Sequence, residues 1–172
     1  MKTICTILLG VLISTLPVTA QEQEKLPNER LRTPLQVVAK FYDNMPTGVT
    51  VADDGRIFVN FPRWGDEVPF TVPELKDGKP GAFPDAERNT ADTSRPSDHF
   101  LSVQSVVIGP AGRLWALDTG RLEWKETIAG GAKLVALDLE TGQVVKNIVF
   151  DESVVKPDSY LNDVRFDLTR GK

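Results

Sequence analysis

The stretch SVVIGPAGRLWALD at residues 105–118 decides the fold, because it repeats the earlier stretch GVTVADDGRIFVNF at residues 48–61. The two copies start 57 positions apart, and the pair Gly55-Arg56 aligns with Gly112-Arg113 between matching apolar positions. A third copy, DVRFDLTRG at residues 163–171, follows 58 positions later with one extra residue in its turn. A hairpin that recurs every fifty-odd residues is typical of β-propeller blades, each a four-stranded antiparallel sheet. A β-sandwich whose hairpins are similar by chance is the alternative.

The rest of the chain also indicates an all-β fold. No window of eleven residues keeps an apolar stripe at helical spacing, whereas short β-rich runs alternate with Gly, Pro and Asp. Hairpins are predicted around Asp53-Asp54-Gly55 and around Glu140-Thr141-Gly142-Gln143. Lys76–Asp98, rich in Pro, Gly and charges, is predicted to be mostly surface loop. The predicted strands are Leu35–Phe41, Gly48–Val51, Arg56–Phe61, Val68–Leu75, Leu101–Ile108, Arg113–Asp118, Lys133–Leu139, Gln143–Phe150 and Leu161–Asp167.

The first twenty residues predict export. Lys2 precedes an almost continuous apolar run, and Val18-Thr19-Ala20 places small residues before a cleavage site at Gln21. This pattern is typical of a signal peptide (residues 1–20), and the polar residues 21–34 are predicted to be a flexible leader. The alternative, a membrane anchor, needs about 20 apolar residues, and this run is shorter. We therefore expect a secreted protein, extracellular or periplasmic, with no membrane contact after cleavage.

Composition limits the partners. The chain of 172 residues carries 20 Lys and Arg against 24 Asp and Glu, with a net charge of −4 and no basic run. Nothing in this balance favours nucleic acid as a partner. The single cysteine, Cys5, lies inside the predicted signal peptide, so the mature chain has neither disulfide nor thiol metal site.

The repeat alignment also predicts a binding site. Thr47, Gln104 and Asn162 occupy equivalent positions, just before the apolar run of each copy, and Asp163 follows the last of them. The inner strands of propeller blades converge on the central channel, where polar groups at an apolar mouth suit a small-molecule ligand. Alternatively, these side chains satisfy backbone groups at the strand ends.

Three blocks resemble the yellow/major royal jelly protein family: FVNFPRWGDEVPFTVPEL (58–75), GRLWALDTGR (112–121) and SYLNDVRFD (159–167). The resemblance, to the N-terminal part of a bacterial member, implies a secreted six-bladed propeller of which this chain holds about two and a half blades. The first blade would span about 46–98, the second about 101–150, and the third would start at 160–172. The family includes cuticle pigmentation proteins, nutritive secretions and binders of small amines, so the resemblance implies no single activity.

A more distant resemblance concerns the pair Asn162-Asp163. Calcium-dependent gluconolactonases, which are also six-bladed propellers, carry an Asn-Asp pair at the start of an inner strand, with the Asn as a calcium ligand. They carry a glutamate where this chain has Thr47, so a carboxylate ligand is missing. We therefore expect no cofactor, with a calcium-dependent lactonase or esterase as the alternative.

No residue is assigned a catalytic role from the sequence. Ser97-Asp98-His99 holds the residue types of a catalytic triad, but adjacent residues cannot form the required relay. Asp118-Thr119-Gly120 matches an aspartic-protease triplet and is better explained as a blade turn. Trp115, aligned with Phe58, is expected to pack between blades.

The length of the chain leads to one further expectation. Six blades of this size need roughly 340 residues, since each blade buries its faces against its neighbours. We expect the chain to be a truncated fragment without a closed ring, whose open strand edges favour self-association. A ring assembled from several copies is the alternative.

Overall fold

Two four-stranded antiparallel sheets make up most of the regular secondary structure of the described residues. The structure is a computed structural model that describes residues 35–167 and 169. The predicted signal peptide, the predicted leader and the last residues of the third repeat lie outside the described residues. The all-β prediction is confirmed.

The first sheet contains the first repeat. Its strands are β1 (Gly48–Val51), β2 (Ile57–Asn60), β3 (Pro73–Lys76) and β4 (Lys79–Ala82), in that order across the sheet. The predicted hairpin joins β1 to β2, with Gly55 at a φ of 87° that favours glycine.

The second sheet contains the second repeat in the same order. Its strands are β5 (Val103–Ile108), β6 (Leu114–Thr119), β7 (Ala132–Leu137) and β8 (Val144–Val149). A 3₁₀ turn at Pro110–Gly112 connects β5 to β6, and the second predicted hairpin connects β7 to β8. Every residue of β6 and β7 is buried, so these central strands have both faces covered.

Apolar packing joins the two sheets. Phe58 from β2, completely buried, packs edge-on against Phe83, with 4.9 Å between the ring centroids. Burying a side chain of this size contributes about 1.5–3 kcal/mol. The rest of this cluster consists of Ala52, Val72, Phe100, Val103, Val106, Leu114, Ala116, Val135 and Leu137.

The opposite face of the second sheet is covered by the third repeat. Trp115 lies 4.9 Å from the ring of Phe166, and Leu161 and Val164 join the same cluster. Trp115, which was expected to pack between blades, therefore packs between the second and third repeats.

Two predicted strands are wrong. Leu35–Phe41 and Leu161–Asp167 form no strand, because neither has a ladder of backbone hydrogen bonds to another described segment. Leu161–Asp167 is held instead by side chains, among them Phe166 against Trp115 and Asp163 against Ser105.

The predicted loop Lys76–Asp98 is also partly wrong. It contains β4 and the one-turn helix α1 (Ala86–Asn89), which begins where the Asp85 carboxylate accepts the Arg88 N–H at 2.7 Å. The strand β4 was not predicted because it contains Pro80 and Gly81, which are rare in central strands. Because β4 lies at the edge of the sheet, it tolerates both residues. The Asp77-Gly78 turn, with both φ angles positive, is a recognised hairpin signal.

Within residues 35–167, no helix is long and apolar enough to cross a membrane.

Candidate functional site

The four predicted site residues line one cavity. Thr47, Gln104, Asn162 and Asp163 face a space of about 260 Å³ at the start of β1, the start of β5 and the third repeat. Direct contacts join equivalent positions: the Thr47 hydroxyl donates to the Gln104 carbonyl at 3.0 Å, 57 residues away. The Gln104 amide donates to Asn162 at 3.2 Å, 58 residues further on. Residues at equivalent positions of successive repeats are therefore direct neighbours in the structure.

Thr47 has a structural role at the cavity wall. Its hydroxyl donates to the Gln104 carbonyl and accepts from Asn60 Nδ2 at 2.6 Å. Asn60 is completely buried and also donates to the Val103 carbonyl at 3.0 Å. For Thr47, the alternative role of satisfying a backbone group is thus the one that the geometry supports.

Asn60 depends on the glycine opposite it. Gly48 pairs with Asn60 across β1 and β2, and a Cβ at Gly48 would collide with Asn60 Oδ1. That oxygen is buried and has no hydrogen-bond donor among the described residues. Asn60 was not predicted as a site residue, although it lies in the second half of the repeated hairpin.

Gln104 is held from both ends of its side chain. Its Nε2 donates to Asn162 Oδ1, and its Oε1 accepts the Tyr160 hydroxyl at 2.8 Å. The Tyr160 oxygen in turn accepts the Trp64 indole N–H at 2.6 Å. The Asn162 Nδ2 has no partner among the described residues and is free to donate to a ligand.

Asp163 places a negative charge at the cavity. Its Oδ1 accepts the Ser105 hydroxyl at 2.8 Å, the Val164 backbone N–H at 2.8 Å and the Arg165 guanidinium. Partial burial acts to raise the pKa of Asp163, but these donors outweigh it and hold the pKa below its ordinary value. The carboxylate is therefore ionised at neutral pH, and its Oδ2 has no partner among the described residues.

An aromatic cluster, formed by Trp64, Trp124 and Tyr160, lies beside this network. The ring of Trp124 stacks on Trp64 and on Tyr160, each with centroids 5.2 Å apart and planes within about 23°. Arg121 holds the cluster by donating to the backbone carbonyls of Trp124, Lys125, Asp158 and Ser159. The stacking of these three rings on one another was not predicted, because they come from three distant segments of the sequence.

The other candidate motifs are structural. Asp118 is fully buried and forms an ion pair with Lys133 at 2.8 Å, so the Asp-Thr-Gly triplet has no exposed carboxylate. His99 is buried with its Nδ1 at 2.9 Å from the Glu87 carbonyl, and no Ser97–His99 hydrogen bond exists. Among residues 35–167 and 169, no three His, Cys, Asp or Glu side chains are grouped to hold a metal ion.

Comparison with known proteins gives one consistent result. The family model for the major royal jelly protein matches residues 101–172. The yellow-related salivary protein LJM17 of Lutzomyia longipalpis is 30% identical over 134 residues, which cover 72% of this chain and 32% of that protein. The L-dopachrome tautomerase yellow-f of Drosophila melanogaster is 29% identical over 138 residues, 74% of this chain and 31% of that protein. The dopaminechrome tautomerase of the same species is 25% identical, with 73% and 29% covered. The chain spans about a third of the length of these relatives.

Proposed function

The chain belongs to the yellow/major royal jelly protein family, and we propose that it is part of a secreted six-bladed β-propeller that binds a small polar molecule at the channel mouth. The observation that carries the proposal is the cavity lined by Thr47, Gln104, Asn162 and Asp163, which the three repeats build together.

Two observations support the propeller. Consecutive repeats pack against each other, and four hydrogen bonds between them join residues 57 or 58 positions apart. Two four-stranded sheets also occupy a chain that spans about a third of its relatives, which agrees with six sheets in the whole. Secretion is supported by the predicted signal peptide and by a relative named as a salivary protein.

The free groups of the cavity indicate what it binds. The Asn162 Nδ2 can donate, and the ionised Asp163 can accept or pair with a cation. A volume of about 260 Å³ lies just below the usual range of ligand sites, which begins at about 300 Å³, so a small ligand is expected. Small ligands that combine acceptor and donor groups fit this arrangement.

Binding is tested directly with freshly prepared L-dopachrome, the molecule in the name of one relative. We expect saturable binding to the wild-type chain and weaker binding to Asn162→Ala. Asp66→Ala, at an exposed residue away from the cavity lining, is the matched control. The proposal is wrong if the wild type does not bind, or if both variants bind equally well.

A second candidate is tautomerase activity, favoured by the ionised Asp163 with a free oxygen. Tautomerisation moves a proton from carbon to oxygen and needs no oxidant, so a carboxylate that accepts the proton can start it. Asp163→Asn keeps the acceptor for Ser105 and removes the base. If the activity exists, L-dopachrome disappears faster with the wild type, and the variant reduces the rate to the background.

The calcium-dependent lactonase remains the other alternative. A lactonase of this kind would hydrolyse a gluconolactone in the presence of Ca²⁺, and a chelator would stop the reaction. We expect neither, and the assay runs in parallel on the same preparation.

A further inference from the structure

We propose that a hydrogen-bond relay from Trp64 through Tyr160 and Gln104 to Asn162 fixes the orientation of the Asn162 amide, so that its NH₂ group faces the cavity. This proposal concerns the same cavity, and the ligand selectivity that it predicts rests on the proposed function. Trp64 and Tyr160, outside the cavity lining, then act as positioning residues for a ligand donor.

The donor and the acceptor in each hydrogen bond of the relay are set by the hydrogen bond before it. An indole nitrogen can only donate, so the Tyr160 oxygen must accept from Trp64 at 2.6 Å. The single phenol proton is then available for Gln104, whose Oε1 accepts it at 2.8 Å. The other end of the Gln104 amide is therefore its Nε2.

The last step sets the Asn162 amide. The Gln104 Nε2 lies 3.2 Å from Asn162, so the atom that faces it must be the acceptor Oδ1. The Nδ2 then takes the other position, where no described residue accepts from it. A freely rotating asparagine would offer a ligand either end of its amide, whereas this one offers the donor.

The start of the relay is held in place. Trp124 stacks on both Trp64 and Tyr160, and Arg121 lies over the Tyr160 ring at 5.8 Å. Burial raises the pKa of Tyr160, only partly opposed by the Trp64 hydrogen bond and the Arg121 charge. The phenol therefore keeps its proton at neutral pH and continues to donate.

The relay predicts the ligand class. Beside the Asp163 carboxylate, the oriented amide adds one neutral donor, so the cavity selects a molecule with a carbonyl or carboxylate oxygen at that point. A molecule with only donors there would meet the Asn162 NH₂ unfavourably.

The relay is tested by NMR on the full chain, without any ligand. Tyr160→Phe removes only the hydroxyl, and Trp64→Phe is a second variant that removes the first donor. We expect Tyr160→Phe to increase solvent exchange of the Trp64 indole N–H and to shift the side-chain amide signals of Gln104 and Asn162. Tyr42→Phe is the matched control, because it removes the same hydroxyl from an exposed tyrosine outside the relay, and it should leave those amide signals in place. Unchanged Gln104 and Asn162 signals in both relay variants would overturn the proposal.

The selectivity is tested by binding of L-dopachrome. Asn162→Asp keeps the acceptor for Gln104 but replaces the free donor with a second acceptor. We expect affinity to fall by more than tenfold in this variant, and by roughly two- to tenfold in Tyr160→Phe, the value of one neutral hydrogen bond. Equal affinity in wild type and Asn162→Asp would overturn the orientation. If the wild type binds no L-dopachrome, the proposed function fails, and the NMR result still decides the relay.

Discussion

Replacing Lys133 with methionine should loosen the second sheet. The Lys133 side chain is completely buried, and its Nζ donates to Asp118 at 2.8 Å, to the Pro96 carbonyl at 2.9 Å and to the Gly131 carbonyl at 3.0 Å. Methionine is similar in length and apolar, so the change removes the charge and three hydrogen bonds with little change in volume.

The free-energy cost of Lys133→Met depends on the hydrogen bonds that Asp118 keeps. Removing one partner of a buried ion pair typically costs about 3–5 kcal/mol, because the other charge stays buried. Asp118 keeps three backbone donors, the N–H groups of Leu101, Ser102 and Gly120, at 2.7–2.9 Å. These donors stabilise the carboxylate, so we expect the lower end, about 3 kcal/mol, or roughly a hundredfold in an equilibrium constant.

Native-state hydrogen exchange measures this locally, on the amides of β6 and β7. We expect protection in Lys133→Met to fall by on the order of a hundredfold. Lys125→Met is the matched control, since its pair with Glu123 at 2.8 Å is exposed, and it should change protection by no more than a few-fold. Similar protection in the two variants would refute the reasoning.

Three further predictions concern other parts of the chain. The Arg56 hydrogen bond lowers the pKa of Glu74 below its ordinary value of 4.5. The stabilising contribution of the Glu74 carboxylate is therefore present above pH 4.5 and is lost as the pH falls through the folded-state pKa. Glu74→Gln should therefore make the stability of the chain depend less on pH in the acid range, and an unchanged dependence would contradict this. Gly48→Ala should destabilise the first sheet by about 1–3 kcal/mol, because an added Cβ overpacks the buried amide opposite, whereas Gly81→Ala, with open space around it, should be near neutral in the same melting experiment. Export should yield a mature chain that begins at Gln21, which N-terminal sequencing checks; an intact start would show that no cleavage occurs.

The repeat made the central part of the fold predictable. The register of Gly55-Arg56 against Gly112-Arg113 predicted the pairs β1–β2 and β5–β6, and each pair is present in a four-stranded sheet. The same register placed Asn162 at the cavity, because equivalent residues of successive repeats become neighbours. A repeated local pattern therefore suffices to predict the strand pairs, without information on contacts between distant residues.

The relay could not be predicted from the sequence. Trp64 and Tyr160 meet across 96 residues, and nothing in a local pattern specifies such a contact. The ion pair of Asp118 and Lys133 is similar, since a lysine in a strand is ordinarily expected to face solvent.

The constant spacing between contacting repeats has a consequence for folding kinetics. Hydrogen bonds between equivalent positions of neighbouring repeats, such as Thr50 with Ile108, close loops of 57 or 58 residues. Loop-closure entropy grows only with the logarithm of loop length, so each docking step has nearly the same entropic barrier. The order of folding then depends on the intrinsic stability of each sheet. The second sheet, with six-residue strands against four-residue strands in the first, is expected to form earlier and to provide the surface on which its neighbours assemble.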